Sequence, residues 1–201
     1  EESGSPHLPA YVDALAERVG NPALVICLDS GCADYERLWV TTSLRGMAAG
    51  VLSVEITSEG RHSGAVGGAI PSTFRIARHL LERIEDSATG AVLLPAANVD
   101  IPAERVAQAA ELVAAIGDGI DAYPLLDGVD VRTRPGAEIQ LDRTWRPALH
   151  VIGADGLPPT DLAGNVLRPR TALKLSLRLP PTPDPLAATE ALGRVLTADP
   201  P

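Results

Sequence analysis

The stretch ALKLSLRL, residues 172–179, alternates without interruption. Leu173, Leu175, Leu177 and Leu179 fall on one side of an extended chain; Lys174, Ser176 and Arg178 fall on the other. That period of two predicts a strand with one dry face and one wet face. Sheets wetted on one side are typically antiparallel. Working outward, residues 180–185 form a proline-rich turn. Asp184 then caps a last helix with Leu186, Leu192, Val195 and Leu196 inward. On the other side, residues 147–152 predict a strand, and a Gly/Pro loop at 153–164 separates the two.

The first half supplies the remaining elements. Residues 39–43 and 47–57 are strand-like. In the second of these Leu52, Val54 and Ile56 oppose Val51, Ser53 and Glu55, again apolar against mixed. Ser72 or Thr73 caps a helix with Phe74, Ala77, Leu80, Leu81 and Ile84 in a stripe. Pro102 opens another helix, with Val106, Ala109, Ala110, Val113 and Ile116 on one side, and 117–144 is irregular with room for one short helix. From about residue 46 the order is therefore βαββα. The fold class expected is α+β, a ferredoxin-like unit with an antiparallel sheet, helices on one face and no final strand. Before it, Ser5 and Pro6 start a helix carrying Val12, Leu15, Ala16 and Val19, closed by Gly20. The run ALVICL, residues 23–28, then predicts a strand buried on both faces.

Composition excludes several classes. The 201 residues are 45% hydrophobic and 21% charged, as in globular proteins, and only 3% aromatic, so Leu, Val, Ile and Ala must fill the core. The net charge of −9, with no Lys/Arg cluster, argues against nucleic acid and anionic membrane as partners. No apolar run approaches the roughly 20 residues of a transmembrane helix. Position 1 reads as mid-protein sequence. Two cysteines, Cys27 and Cys32, make no disulfide framework, so a cytoplasmic setting is expected. There is no H-E-x-x-H, Walker A loop, G-x-G-x-x-G or G-x-S-x-G.

Two places carry candidate chemistry. The loop EGRHSGAVGGAIP, residues 59–71, sets His62 among Gly64, Gly67 and Gly68, glycines that suit positive φ or close approach. Such a histidine can exchange a proton near neutral pH, or it can be an incidental residue of a solvated loop. Asp29 ends the apolar run 23–28. It is either a carboxylate at the end of a buried strand, as in α/β active sites, or the head of an Asx-turn.

Several stretches, in order, resemble one family: the co-catalytic dizinc peptidases and deacylases, which include carnosinase, non-specific dipeptidase, acetylornithine deacetylase and succinyl-diaminopimelate desuccinylase. They are EESGS (1–5), CLDSG (27–31), SLRGMAAGVLSVEIT (43–57), RHSGAVGGAIP (61–71), TWRPALHVIGADG (144–156) and NVLRPRTALKLSLRLPP (165–181). HSGxxGG and SLRLPP place the likeness nearest the dipeptidase branch. The resemblance implies a partial catalytic-domain segment over 1–44 and a lid, or dimerisation, domain over 45–201. It implies Glu1 as general base, Glu2 and Asp29 as zinc ligands, and His62 as an oxyanion donor reaching the partner subunit's site. It further implies Arg178 as the anchor of the substrate's carboxylate and, thirteen residues earlier, Asn165 as a substrate contact, at a position where the family's dipeptidases often have threonine. Two zinc ions, a homodimer through the lid, and small peptides or N-acyl amino acids as substrates follow from the same likeness.

Only two of the family's five protein zinc ligands have counterparts here. The chain is therefore expected to be an inactive piece of a longer enzyme, with a self-associating scaffold as the rival reading.

Overall fold

The alternating run at 172–179 is the middle of the sheet. The computed structural model describes residues 5–28, 31–129 and 136–201. They fall into two units, Glu1–Thr41 and Thr42–Pro201.

In the first unit α1 spans Leu8–Ala14 and α2 Ala16–Val19. The single helix expected from Ser5 is shortened and interrupted. Ser5 lies at φ 47°, His7 takes the N-cap position without a side-chain bond, and Leu15 breaks the helix at φ −106°, ψ 9°. Gly20, at φ 61°, ends it as expected. Val12, Leu15 and Val19 are exposed, so the apolar stripe packs on nothing that would hold the helix straight. Residues 23–28 correct a second expectation. They form no strand, and Leu24, Val25 and Ile26 are more than 70% exposed. A strand buried on both faces needs ladder partners on both edges, and none of the described residues supplies one. Residues 39–43 likewise form no strand. The chain before them is instead turned by Asp34, whose Oδ1 accepts from the amides of Glu36 and Arg37 and from the Trp39 indole.

The second unit runs β1 (Gly46–Glu55), β2 (Arg61–His62), α3 (Ser63–Val66), α4 (Thr73–Leu81), α5 (Ala103–Ile116), α6 (Ala137–Thr144), β3 (Ala148–Asp155), β4 (Val166–Leu167), β5 (Arg170–Leu179) and α7 (Pro185–Thr197). Its main sheet has the order β1-β5-β3, and both pairings are antiparallel. With the short β2–β4 ladder set aside, this is the expected βαββα unit. Helix α4 packs on β1 and β5, and α7 packs on β1. Leu173, Leu175, Leu177 and Leu179 are each at most 3% exposed, and Lys174 and Arg178 are exposed. Ser176, expected on the wet face with them, is instead buried, flanked by Ala49 and His150 on the two neighbouring strands.

The helices follow their caps. Ser72 accepts from the Arg75 amide at the start of α4, and Asp184 accepts from Leu186 and Ala187 at the start of α7. Ile76, Ala77, Leu80 and Ile84 face the core, while Phe74 lies at the rim under the Arg78 guanidinium. In α7, Ala188, Leu192 and Leu196 repeat every four residues and are buried. Leu186 was expected inward but is exposed, because two residues before Ala188 is about 200° around the helix. Helix α5 buries only Ala109 and packs against α6.

One buried polar contact joins helix to sheet. The hydroxyls of Thr73 (α4) and Thr171 (β5) lie 2.8 Å apart, and Thr73 also donates to the Arg168 carbonyl at 3.4 Å. Replacing Thr73 with Val leaves the Thr171 hydroxyl buried without this partner. We expect it to cost about 1–3 kcal/mol, with Thr73→Ser losing much less. Urea denaturation checks this, and a Val variant as stable as the parent would refute it.

Candidate functional site

The His62 loop is held by a second, shorter ladder. Strands β2 and β4 pair antiparallel, Arg61 against Leu167 and His62 against Val166. Two bonds extend the ladder: the Ile56 amide to the Pro169 carbonyl at 3.0 Å, and the Ser63 amide to the Asn165 carbonyl at 2.9 Å. Gly60 permits the approach. A Cβ there would lie 2.7 Å from Cγ1 of Val166, closer than real atoms come.

His62 is the N-cap of the short α3. Its Nδ1 accepts from the Gly64 amide at 3.1 Å. In the neutral imidazole one nitrogen accepts and the other donates, so this bond puts the proton on Nε2. A Cβ on Gly64 would meet His62 Cε1 at 3.0 Å, so glycine is what lets the ring fold back over its own loop. The remaining loop glycines meet the expectation too: Gly67 closely approaches the Ser63 carbonyl, and Gly68 has φ 87°. The ring is exposed and its Nε2–H is free to donate outward.

Asn165 is exposed and sits beside His62 through the Ser63 bond. These two sequence-derived candidates are therefore brought together. Arg178 is not. It lies eight residues beyond Arg170 along β5, about 26 Å at roughly 3.3 Å per residue, while the His62 ladder is at the Arg170 end. On the uncovered face of the sheet Arg178 stands across from Met47 and Ala148. Glu1, Glu2 and Asp29 lie outside the described residues. Among the described residues no group of three or more His, Cys, Asp or Glu could hold a metal ion. They do not fit a zinc site by themselves.

Sequence reasoning missed three supporting residues. Thr171 shares the inward parity of the leucines, and a polar residue there signals a buried partner. Gly60 stands two places before His62, where a close strand approach was legible. Arg45 shares the outward parity of Met47.

No family model matches the chain. Over 190 residues it is 28% identical to the Cys-Gly metallodipeptidase dug1 of Schizosaccharomyces pombe, covering 90% of this chain and 38% of that protein. Its fold matches human carnosine dipeptidase 1 with a TM-score of 0.64 at 22% identity, over 98% of this chain and 42% of that one. It also matches an M20 family metallo-carboxypeptidase from Sulfolobus solfataricus with a TM-score of 0.64 at 17% identity, over 96% of this chain and 50% of that one. The relative is a metallodipeptidase, and the neighbours are a carnosine dipeptidase and a metallo-carboxypeptidase; all three are peptidases of the kind the motifs resemble, and the first two agree with its dipeptidase branch. The chain spans half or less of the length of each.

Gly64→Ala should push the imidazole off its amide. We expect the fixed tautomer to become a mixture, read from the ¹⁵N shifts of the His62 ring nitrogens; unchanged shifts would show that the Gly64 bond does not set the tautomer.

Proposed function

We propose that this chain is the lid, residues 45–201, and the preceding catalytic-domain segment, residues 1–44, of a dizinc dipeptidase acting on dipeptides or N-acyl amino acids. The observation that supports it is the separation just described. His62 and Asn165 stand together beyond the Arg170 end of β5, and Arg178 lies about 26 Å along the strand from Arg170. A dipeptide spans only about 7 Å. If all three residues serve one substrate, two lids must contribute, which is the homodimer expected from the resemblance.

Within that reading each residue has a task its chemistry suits. The Nε2–H of His62 donates to the oxygen that gains charge as the scissile carbonyl becomes tetrahedral. Such a donor acts on the transition state more than on the bound substrate. The Asn165 side chain, beside it, offers an amide to the substrate. The Arg178 guanidinium fits the terminal carboxylate as a two-pronged fork. Glu1 is assigned as the base that takes a proton from water, with Glu2 and Asp29 as metal ligands. Among the described residues no group of three or more His, Cys, Asp or Glu could hold a metal ion, and the chemistry assigned to His62, Asn165 and Arg178 is hydrogen-bond donation, binding and orientation. No helix among the described residues is long and apolar enough to cross a membrane, and the cytoplasmic setting rests on the two unpaired cysteines.

Three measurements follow. The isolated chain should show no dipeptide turnover and keep no stoichiometric zinc; either one would overturn its reading as an inactive piece. In the longer protein His62→Ala should lower kcat by on the order of a hundredfold with little change in KM. Mixing His62→Ala and Arg178→Ala subunits should restore about a quarter of the parent activity, because half of randomly paired dimers carry one intact site. Recovery no greater than either variant alone would show that one subunit supplies both residues.

A further inference from the structure

The uncovered face of the sheet gathers positive charge at one end. Arg178 of β5 is paired across to Met47 of β1. Two residues before Met47, on the same side of the chain, is Arg45. Arg45 stands one residue before β1, and the strand continued to it would make it a diagonal neighbour of Arg178, Cα atoms on the order of 7–8 Å apart; the two are close enough for the Arg178 charge to act on the Arg45 guanidinium. Arg45 is held in place, since its Nη1 donates to the carbonyls of Asp142 and Arg146 at 3.5 and 3.4 Å. These carbonyls lie in the last turn of α6 and just before β3, so the side chain reaches across the end of β5. Arg143 of α6, resting on the Tyr123 ring at 5.8 Å, adds a third guanidinium.

Nothing among the described residues neutralises this group. Among the described residues no ion pair reaches Arg45, Arg143 or Arg178, while Glu138 and Asp142 are bonded to Arg146 at 2.7 and 2.8 Å. Burial, then the charges of Arg178 and Arg143, hold the Arg45 guanidinium below its ordinary value. Like charges kept together in a chain of net charge −9 are an unrelieved repulsion that a bound anion would relieve.

We propose that Arg45 and Arg178 form one anion site for a ligand with two carboxylates, such as a peptide or N-acyl amino acid ending in aspartate or glutamate. The inference rests on Arg178 as the carboxylate anchor and names the class of substrate that anchor prefers. One α-carboxylate occupies the Arg178 fork, and a side-chain carboxylate then meets Arg45, with Arg143 strengthening the field. A side-chain amide of the same shape cannot repay that charge.

The test uses the chain itself, in low-salt buffer, titrated with N-acetylglutamate and with N-acetylglutamine. Both have one shape, and they differ by one charge. N-acetylglutamate should bind on the order of tenfold tighter, and the advantage should fade as salt rises. Arg45→Gln should abolish the preference while Arg178→Gln weakens both ligands. In the unmutated chain the Arg45 Nε–Hε resonance should move with N-acetylglutamate and stay still with N-acetylglutamine, which keeps the test decisive if Arg45→Gln fails to fold. Equal affinities, no binding of either ligand, or an unmoved Arg45 resonance would overturn the proposal. Should Arg178→Gln leave both affinities intact, the carboxylate anchor itself is wrong. Should it weaken two equally bound ligands, only the role of Arg45 falls.

Discussion

Everything in the second unit depends on β5 being paired on both edges and dry on one face. Its leucines cannot be covered unless α4 packs on the sheet, and its backbone cannot be satisfied unless β1 and β3 both reach it. Parity does the rest. A slip of one residue would turn the leucines to water and Arg178 into the core. The direction of Arg178 is thus a by-product of where the leucines must go. At the other end the same parity turns Thr171 inward to meet Thr73, which holds the strand connection next to the His62 ladder.

Much of this was legible because a period of two is unambiguous over eight residues. ALKLSLRL gave its strand, its faces and its neighbours' antiparallel sense, and the caps Ser72 and Asp184 gave two helix starts. The apolar run at 23–28 misled for a physical reason. Continuous hydrophobicity states that a segment is to be covered on both sides but does not supply the cover, and the described residues hold no ladder for it. The stripe around Val12 and Val19 misled in the same way. Leu186 failed differently, since being apolar near a helix start says nothing of angle until a neighbour such as Ala188 fixes the phase.

The candidate site was half legible. His62 stood out by its glycines, yet why it needs them is a contact, Gly64 against the ring, that no spacing rule contains. Asn165 and Arg178 came from resemblance, and their thirteen-residue spacing hid the fact that Asn165 stands just before β4, beside the His62 ladder, while Arg178 lies near the far end of β5. Arg45 was invisible as a functional candidate. Its meaning comes from register, which brings together residues more than a hundred apart in the chain.

That register also has a consequence in time. Gly46 is bonded opposite Leu179, so β1 leaves the ribosome 133 residues before its partner exists. At roughly 5–20 residues per second that is on the order of 7–27 seconds. During this interval Ala48, Leu52 and Val54 have no sheet to join, and the sheet cannot close by pairing neighbours in sequence. Closure of the sheet on β1 therefore waits for residues 170–179, a non-local pairing of the kind that slows folding.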